Sequence, residues 1–170
     1  MSSSPIKSIA ATSSPSDREL LLTALFDAPP ESVFRAWTDP ELLKQWFAPR
    51  PWIVTDVDMD FRSGGRSFFR MRGPEGQEFP CPGVVLEVVP NRRIVTTDAF
   101  TEAWKPSEKP FMTCVVTFDP APSGKTRYSA HVYHWSAADR EAHEKMGFHE
   151  GWAQCADQLA ELLAKLTKAR

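Results

Sequence analysis

The sequence predicts an α+β domain in which a curved antiparallel sheet of about six or seven strands wraps around a long C-terminal helix, with two short helices after the first strand. Three observations carry this. Short β-rich runs between Trp52 and Trp135 are spaced by Gly, Pro, Asn and Ser; an apolar stripe at helical spacing runs from Met146 to Leu166; and a helical stop and restart falls at Thr38-Asp39-Pro40-Glu41. A chain of 170 residues fits one ordinary domain, which buries roughly 70% of its unfolded surface and so has a substantial core.

The first sixteen residues, rich in Ser and Pro, read as a disordered tail, and residues 17–170 as one domain. Arg18 to Phe26 is apolar and bounded by Asp27-Ala28-Pro29-Pro30, which favours a strand. Pro30 suits a first helical turn, and Val33, Phe34 and Trp37 form one apolar face. The next helix starts either through a Thr38/Glu41 capping box or with Asp39 as cap and Pro40 at the first helical position, and it buries Leu42, Leu43 and Trp46.

Turn chemistry at Arg62-Ser63-Gly64-Gly65, Pro74-Glu75-Gly76, Pro90-Asn91 and Pro120 to Gly124 then cuts the β-rich text into sequential hairpins. In the last strand Tyr128, Ala130, Val132 and His134 share the face assigned to the core, and Arg127, Ser129, His131 and Tyr133 share the other. After Trp135 the residues Met146, Phe148, Trp152, Cys155, Leu159, Leu162, Leu163 and Leu166 step along one helical face. That stripe has to lie against the sheet.

Composition narrows the function. A formal charge of -2 lacks the basic excess that nucleic-acid binding needs, and no apolar run approaches the roughly 20 residues of a membrane span. Cys81, Cys114 and Cys155 are odd in number and widely spaced, which reads as free thiols in a reducing cytoplasm. His131 and His134 point to opposite faces of a strand, and His143 and His149 are six apart and read as surface residues, so no metal site is expected. Asp56, Asp58 and Asp60 alternate as a solvated row, and Gly64-Gly65 is explained by a hairpin rather than a phosphate cradle. No nucleophile elbow or zinc-protease motif occurs, and no cofactor is indicated.

The order of elements, together with Ala28 to Glu41 followed by Gln45-Trp46-Phe47, Asp60-x-Arg62-x-Gly64-Gly65, Gly83 to Arg93 and Gly151-Trp152, resembles the START/Bet v 1-like superfamily and, within it, the Hsp90-ATPase-activator homologue family. The resemblance implies a helix-grip fold with a cavity between the sheet and the last helix, commonly a site for apolar small molecules. It implies little about activity, because one fold hosts carriers, cyclases and hydrolases alike.

The expected function is thus binding of an apolar or amphipathic small molecule, with Phe69, Met71, Tyr128, Val132, His134, Met146 and Trp152 as wall residues. His134 is the one candidate for acid/base work in the alternative reading, a cyclase- or hydrolase-type enzyme. A co-chaperone-like interaction domain is the third reading. It is put in doubt because the eukaryotic activators are two-domain chains. An edge strand or the segment around Trp104 could support a homodimer.

Overall fold

The computed structural model describes residues 16–168 and, as backbone, the strand Ile6–Ala11. Ten strands and four helices follow in order: β1 (Ile6–Ala11), β2 (Glu19–Phe26), α1 (Pro30–Thr38), α2 (Pro40–Leu43), β3 (Ile53–Met59), β4 (Arg66–Arg72), β5 (Glu78–Val89), β6 (Arg93–Thr97), β7 (Phe100–Glu102), β8 (Lys105–Pro106), β9 (Met112–Ala121), β10 (Lys125–His134), α3 (Ala137–Lys145) and α4 (Phe148–Lys168). The expected α+β architecture is present. The main sheet is antiparallel with spatial order β1-β2-β10-β9-β6-β5-β4-β3, and β7 and β8 form a separate hairpin.

Two expectations change. Ile6 to Ala11, assigned by composition to a disordered tail, pairs with β2 from Ile6 opposite Phe26 to Ala11 opposite Leu22 and raises the sheet to eight strands. The free edge of β2 offers unpaired backbone groups that a short β-branched segment can satisfy despite its polar flanks. The rest of the expected tail lies outside the described residues.

The second change concerns the long helix. Its stripe is one in sequence but two in space: α3 ends at Lys145 with Met146 as its C-cap, Gly147 turns the chain at φ +99, and α4 begins at Phe148. A positive φ is open to glycine without steric cost, so the axis changes direction there. Met146 consequently leaves the buried stripe and is 68% exposed.

Local chemistry explains the remaining elements. Asp39 caps α2, its carboxylate accepting from the Glu41 backbone N–H at 3.0 Å with Pro40 at the first helical position, which selects the second of the two expected starts. In the β3–β4 hairpin, Gly64 has φ +82, and a Cβ on Gly65 would sit 2.0 Å from the Asp60 carbonyl oxygen. The Gly-Gly pair is therefore set by the turn. The Asp row is solvated as expected, with Asp56 paired to Arg70 and Asp58 to Arg66.

The core lies on one half of the sheet. Leu20, Leu22 and Phe26 of β2, Val116 and Phe118 of β9, and Tyr128, Ala130 and Val132 of β10 pack with Val33, Ala36 and Trp37 of α1 and with Phe148, Leu159 and Leu163 of α4. Burying each of the Val, Leu and Phe side chains among these contributes roughly 1.5–3 kcal/mol. No residue of β4 or β5 belongs to that cluster. This asymmetry positions the site.

A candidate ligand cavity between sheet and helix

Between α4 and the half of the sheet that holds β4 and β5 lies a cavity of about 680 Å³. Phe69 and Met71 come from β4, Phe79 to Gly83 from β5, Met112 and Cys114 from β9, and Tyr128 from β10. Trp37, Trp46, Phe47 and Trp52 close one side, and Phe148, Trp152 and Cys155 of α4 close another. The walls are mainly aromatic and aliphatic. Phe79, half exposed, and Met146 both line the cavity and meet solvent, so they mark its opening.

The aromatic walls are braced edge to face. Phe47 contacts Trp37, Trp46 and Phe69 with ring centroids 4.9–5.2 Å apart, a separation at which ring quadrupoles attract. Hydrogen bonds fix two of these rings: Trp46 donates its Nε1–H to the Ala36 carbonyl at 3.0 Å, and Trp37 donates to the Tyr128 hydroxyl at 3.2 Å. Gln158 of α4 secures the segment after α2 by donating to the carbonyls of Trp46 and Ala48 and accepting from the Arg50 N–H, all within 3.0 Å. Sequence reasoning passed over this residue.

Of the seven expected wall residues, Phe69, Met71, Tyr128, Met146 and Trp152 line the cavity. Val132 and His134 do not. The inward parity of β10 is as expected, but Val132 is sealed in the core and His134 lies at the strand end behind another side chain. That side chain is His143, expected at the surface and instead 9% exposed. Its place among the lining residues follows from the turn at Gly147, which separates its helix from α4.

The two imidazoles form a chain. His134 Nδ1 lies 2.9 Å from the Arg18 carbonyl oxygen, and His134 Nε2 lies 2.9 Å from His143 Nδ1. Phe111, Phe148 and Trp152 surround the His143 ring with centroids 5.1–6.0 Å away. Desolvation by this shell, with the neighbouring His134 adding to it, pushes the His143 pKa down to about 4. Burial also lowers that of His134, against the opposing pull of its bond to Arg18.

Other polar groups in the wall are mostly satisfied. Asp98 accepts from the backbone N–H groups of Phe111 and Met112 at 2.8 and 3.1 Å, and Thr97 bonds the Met112 carbonyl. Ser107 is the exception: its Oγ is buried in the lining without a partner among the described residues. All three cysteines line the cavity as free thiols, and burial pushes Cys81 up to about 11 and Cys114 and Cys155 to about 12. Among the described residues no three His, Cys, Asp or Glu side chains converge to hold a metal ion, and no helix is long and apolar enough to cross a membrane. A second, more open groove of about 580 Å³ runs past Arg18, Tyr133 and Trp135, with His134 at its floor.

A family model described as Activator of Hsp90 ATPase homolog 1-like protein matches residues 27–164. Among solved structures, a Nitrosomonas europaea protein is 41% identical, with 91% of this chain and 99% of that one covered and a TM-score of 0.85. A Mycobacterium smegmatis protein is 27% identical over 94% and 97% of the two chains, TM-score 0.76. A Chromobacterium violaceum protein is 29% identical over 85% and 96%, TM-score 0.71. No curated protein matches the chain. These likenesses bear out the helix-grip architecture expected from the sequence.

Proposed function

The chain belongs to the activator of Hsp90 ATPase homolog 1-like family, and on that premise we propose that it binds an apolar or amphipathic small molecule between its sheet and α4. The observation that carries this reading is the cavity of about 680 Å³, walled by aromatic and aliphatic side chains and open at Phe79 and Met146. Its size falls within the roughly 300–1,000 Å³ typical of small-molecule sites. Burying about 300 Å² of apolar ligand gains on the order of 7 kcal/mol gross. Lost motion and desolvation bring the net toward micromolar affinity.

The test is a titration with the neutral fluorophore N-phenyl-1-naphthylamine. Saturable 1:1 binding is expected, weakened at least about tenfold in Cys155→Phe, which places a ring in the cavity wall. Equal binding by this variant, with its fold intact by circular dichroism, places the probe elsewhere and overturns the reading. Native mass spectrometry of the purified protein then identifies any ligand that co-purifies.

The histidine chain favours a second reading, proton transfer on a bound substrate. His143 stands at the cavity and His134 behind it, so His143 is the acid/base group and His134 the positioning residue. This reverses the assignment made from sequence. It predicts turnover that is lost in His143→Ala and only reduced in His134→Gln. Retention of full turnover in His143→Ala refutes it.

A further inference from the structure

The cavity wall carries one polar feature whose hydrogen-bonding sense is determined by its neighbours. The Arg18 carbonyl oxygen only accepts, so the proton of His134 resides on Nδ1. In a neutral imidazole the other nitrogen is then a bare acceptor, and His134 Nε2 accepts from the Nδ1–H of His143. One nitrogen remains. His143 Nε2 carries a lone pair and, among the described residues, has no hydrogen-bond partner and is not one of the sealed, unpartnered atoms. Since His143 lines the cavity, that lone pair opens into it.

We propose that the occupant of the cavity is an apolar molecule bearing a neutral hydroxyl, an alcohol or a phenol, which donates a hydrogen bond to His143 Nε2. The proposal rests on the cavity reading above and specifies its chemistry. Two common alternatives are disfavoured. At His143 Nε2 a carboxylate has no proton to donate and would set its charge against the lone pair, and an ammonium there would be drawn instead toward the Asp98 carboxylate, which lines the same cavity as Lys109. Water is the other source of a hydrogen bond to His143 Nε2, and only the experiment separates the two.

The probes are 2-naphthol and 2-methoxynaphthalene, which share a ring system and differ in the donor. Calorimetric titration of the full chain is expected to give tighter binding of 2-naphthol by about tenfold, the scale of one hydrogen bond that would otherwise leave a buried acceptor unmet. In His143→Phe the ratio is expected to fall to about one. Because that variant also unpairs His134, the wild-type protein supplies a second measurement: imidazole ¹⁵N spectra should show His143 unprotonated at Nε2 and should show that nitrogen shifting when 2-naphthol binds. Equal affinities of the two probes, or a proton on Nε2, overturn the hydroxyl assignment and leave the cavity reading standing. Failure of both probes to bind overturns both.

Discussion

The buried histidine pair makes stability depend on pH in a window that begins well above the range where carboxylates titrate. His143 has a folded-state pKa of about 4 against 6.5 for an unperturbed imidazole. Between those values the unfolded chain binds a proton that the folded chain refuses, so stability is fully present above pH 6.5 and is lost as pH falls toward 4. At 1.36 kcal/mol for each pH unit, the gap is worth about 3 kcal/mol. His134 shifts in the same direction and adds to the loss. Glu19 and Glu144, whose pKa values are lowered by hydrogen bonds to Ser16 and His149 respectively, lose their contributions only below about pH 4.5.

The assay is urea unfolding followed by tryptophan fluorescence at intervals from pH 8 to pH 4.5. The wild-type midpoint should fall steadily below pH 6.5. In His143→Phe, which cannot take up the proton, most of that slope should vanish even though the variant is less stable at neutral pH. A midpoint that is flat between pH 7 and pH 5, or the same slope in wild type and His143→Phe, refutes the reasoning.

Three further outcomes are expected. Leu159→Ala removes a fully buried side chain between α4 and the sheet and should cost about 2–5 kcal/mol in denaturant titration, depending on how far the space collapses. Gln158→Leu should cost about 2–3 kcal/mol although it conserves volume, because it leaves the Trp46 and Ala48 carbonyls and the Arg50 N–H without partners; hydrogen exchange at residues 46–50 should accelerate. With thiol pKa values of about 11 and 12, the fraction of thiolate at pH 8 is about one in a thousand or less. Disulfide reagents should therefore label the three cysteines slowly until the protein is unfolded, and a cavity ligand should slow labelling further.

What the sequence disclosed and what it withheld divide along a physical line. Alternation in β10 is set by a period of two over ten residues, so the inward set from Tyr128 to His134 was readable without tertiary information. The Asp60-x-Arg62-x-Gly64-Gly65 turn was readable because backbone geometry alone demands its glycines. The location of His143 was not, since periodicity assumes one helical axis and a single residue, Gly147, replaces it with two. Gln158 was hidden for another reason. A polar residue beside a helix stripe is ordinarily solvated, and nothing local announces that three backbone groups from residues 46–50 will arrive to meet it. Val132 shows the limit of facing inward: parity separates inside from outside, but whether an inward residue meets core or cavity depends on where the opposite layer ends.

The pairing of β2 with β10 sets a further condition. Glu19 lies opposite Tyr133 and Phe26 opposite Thr126, so a hydrogen-bonding edge of a strand formed early in the chain is met by a strand emerging about a hundred residues later. On the ribosome, β2 and α1 therefore wait with their core residues unpaired while the whole meander is synthesised. Contacts of such long sequence separation slow folding and expose strand edges meanwhile. Nascent chains arrested before Lys125 should consequently remain protease-sensitive and chaperone-bound, and protection should be acquired in one late step rather than hairpin by hairpin.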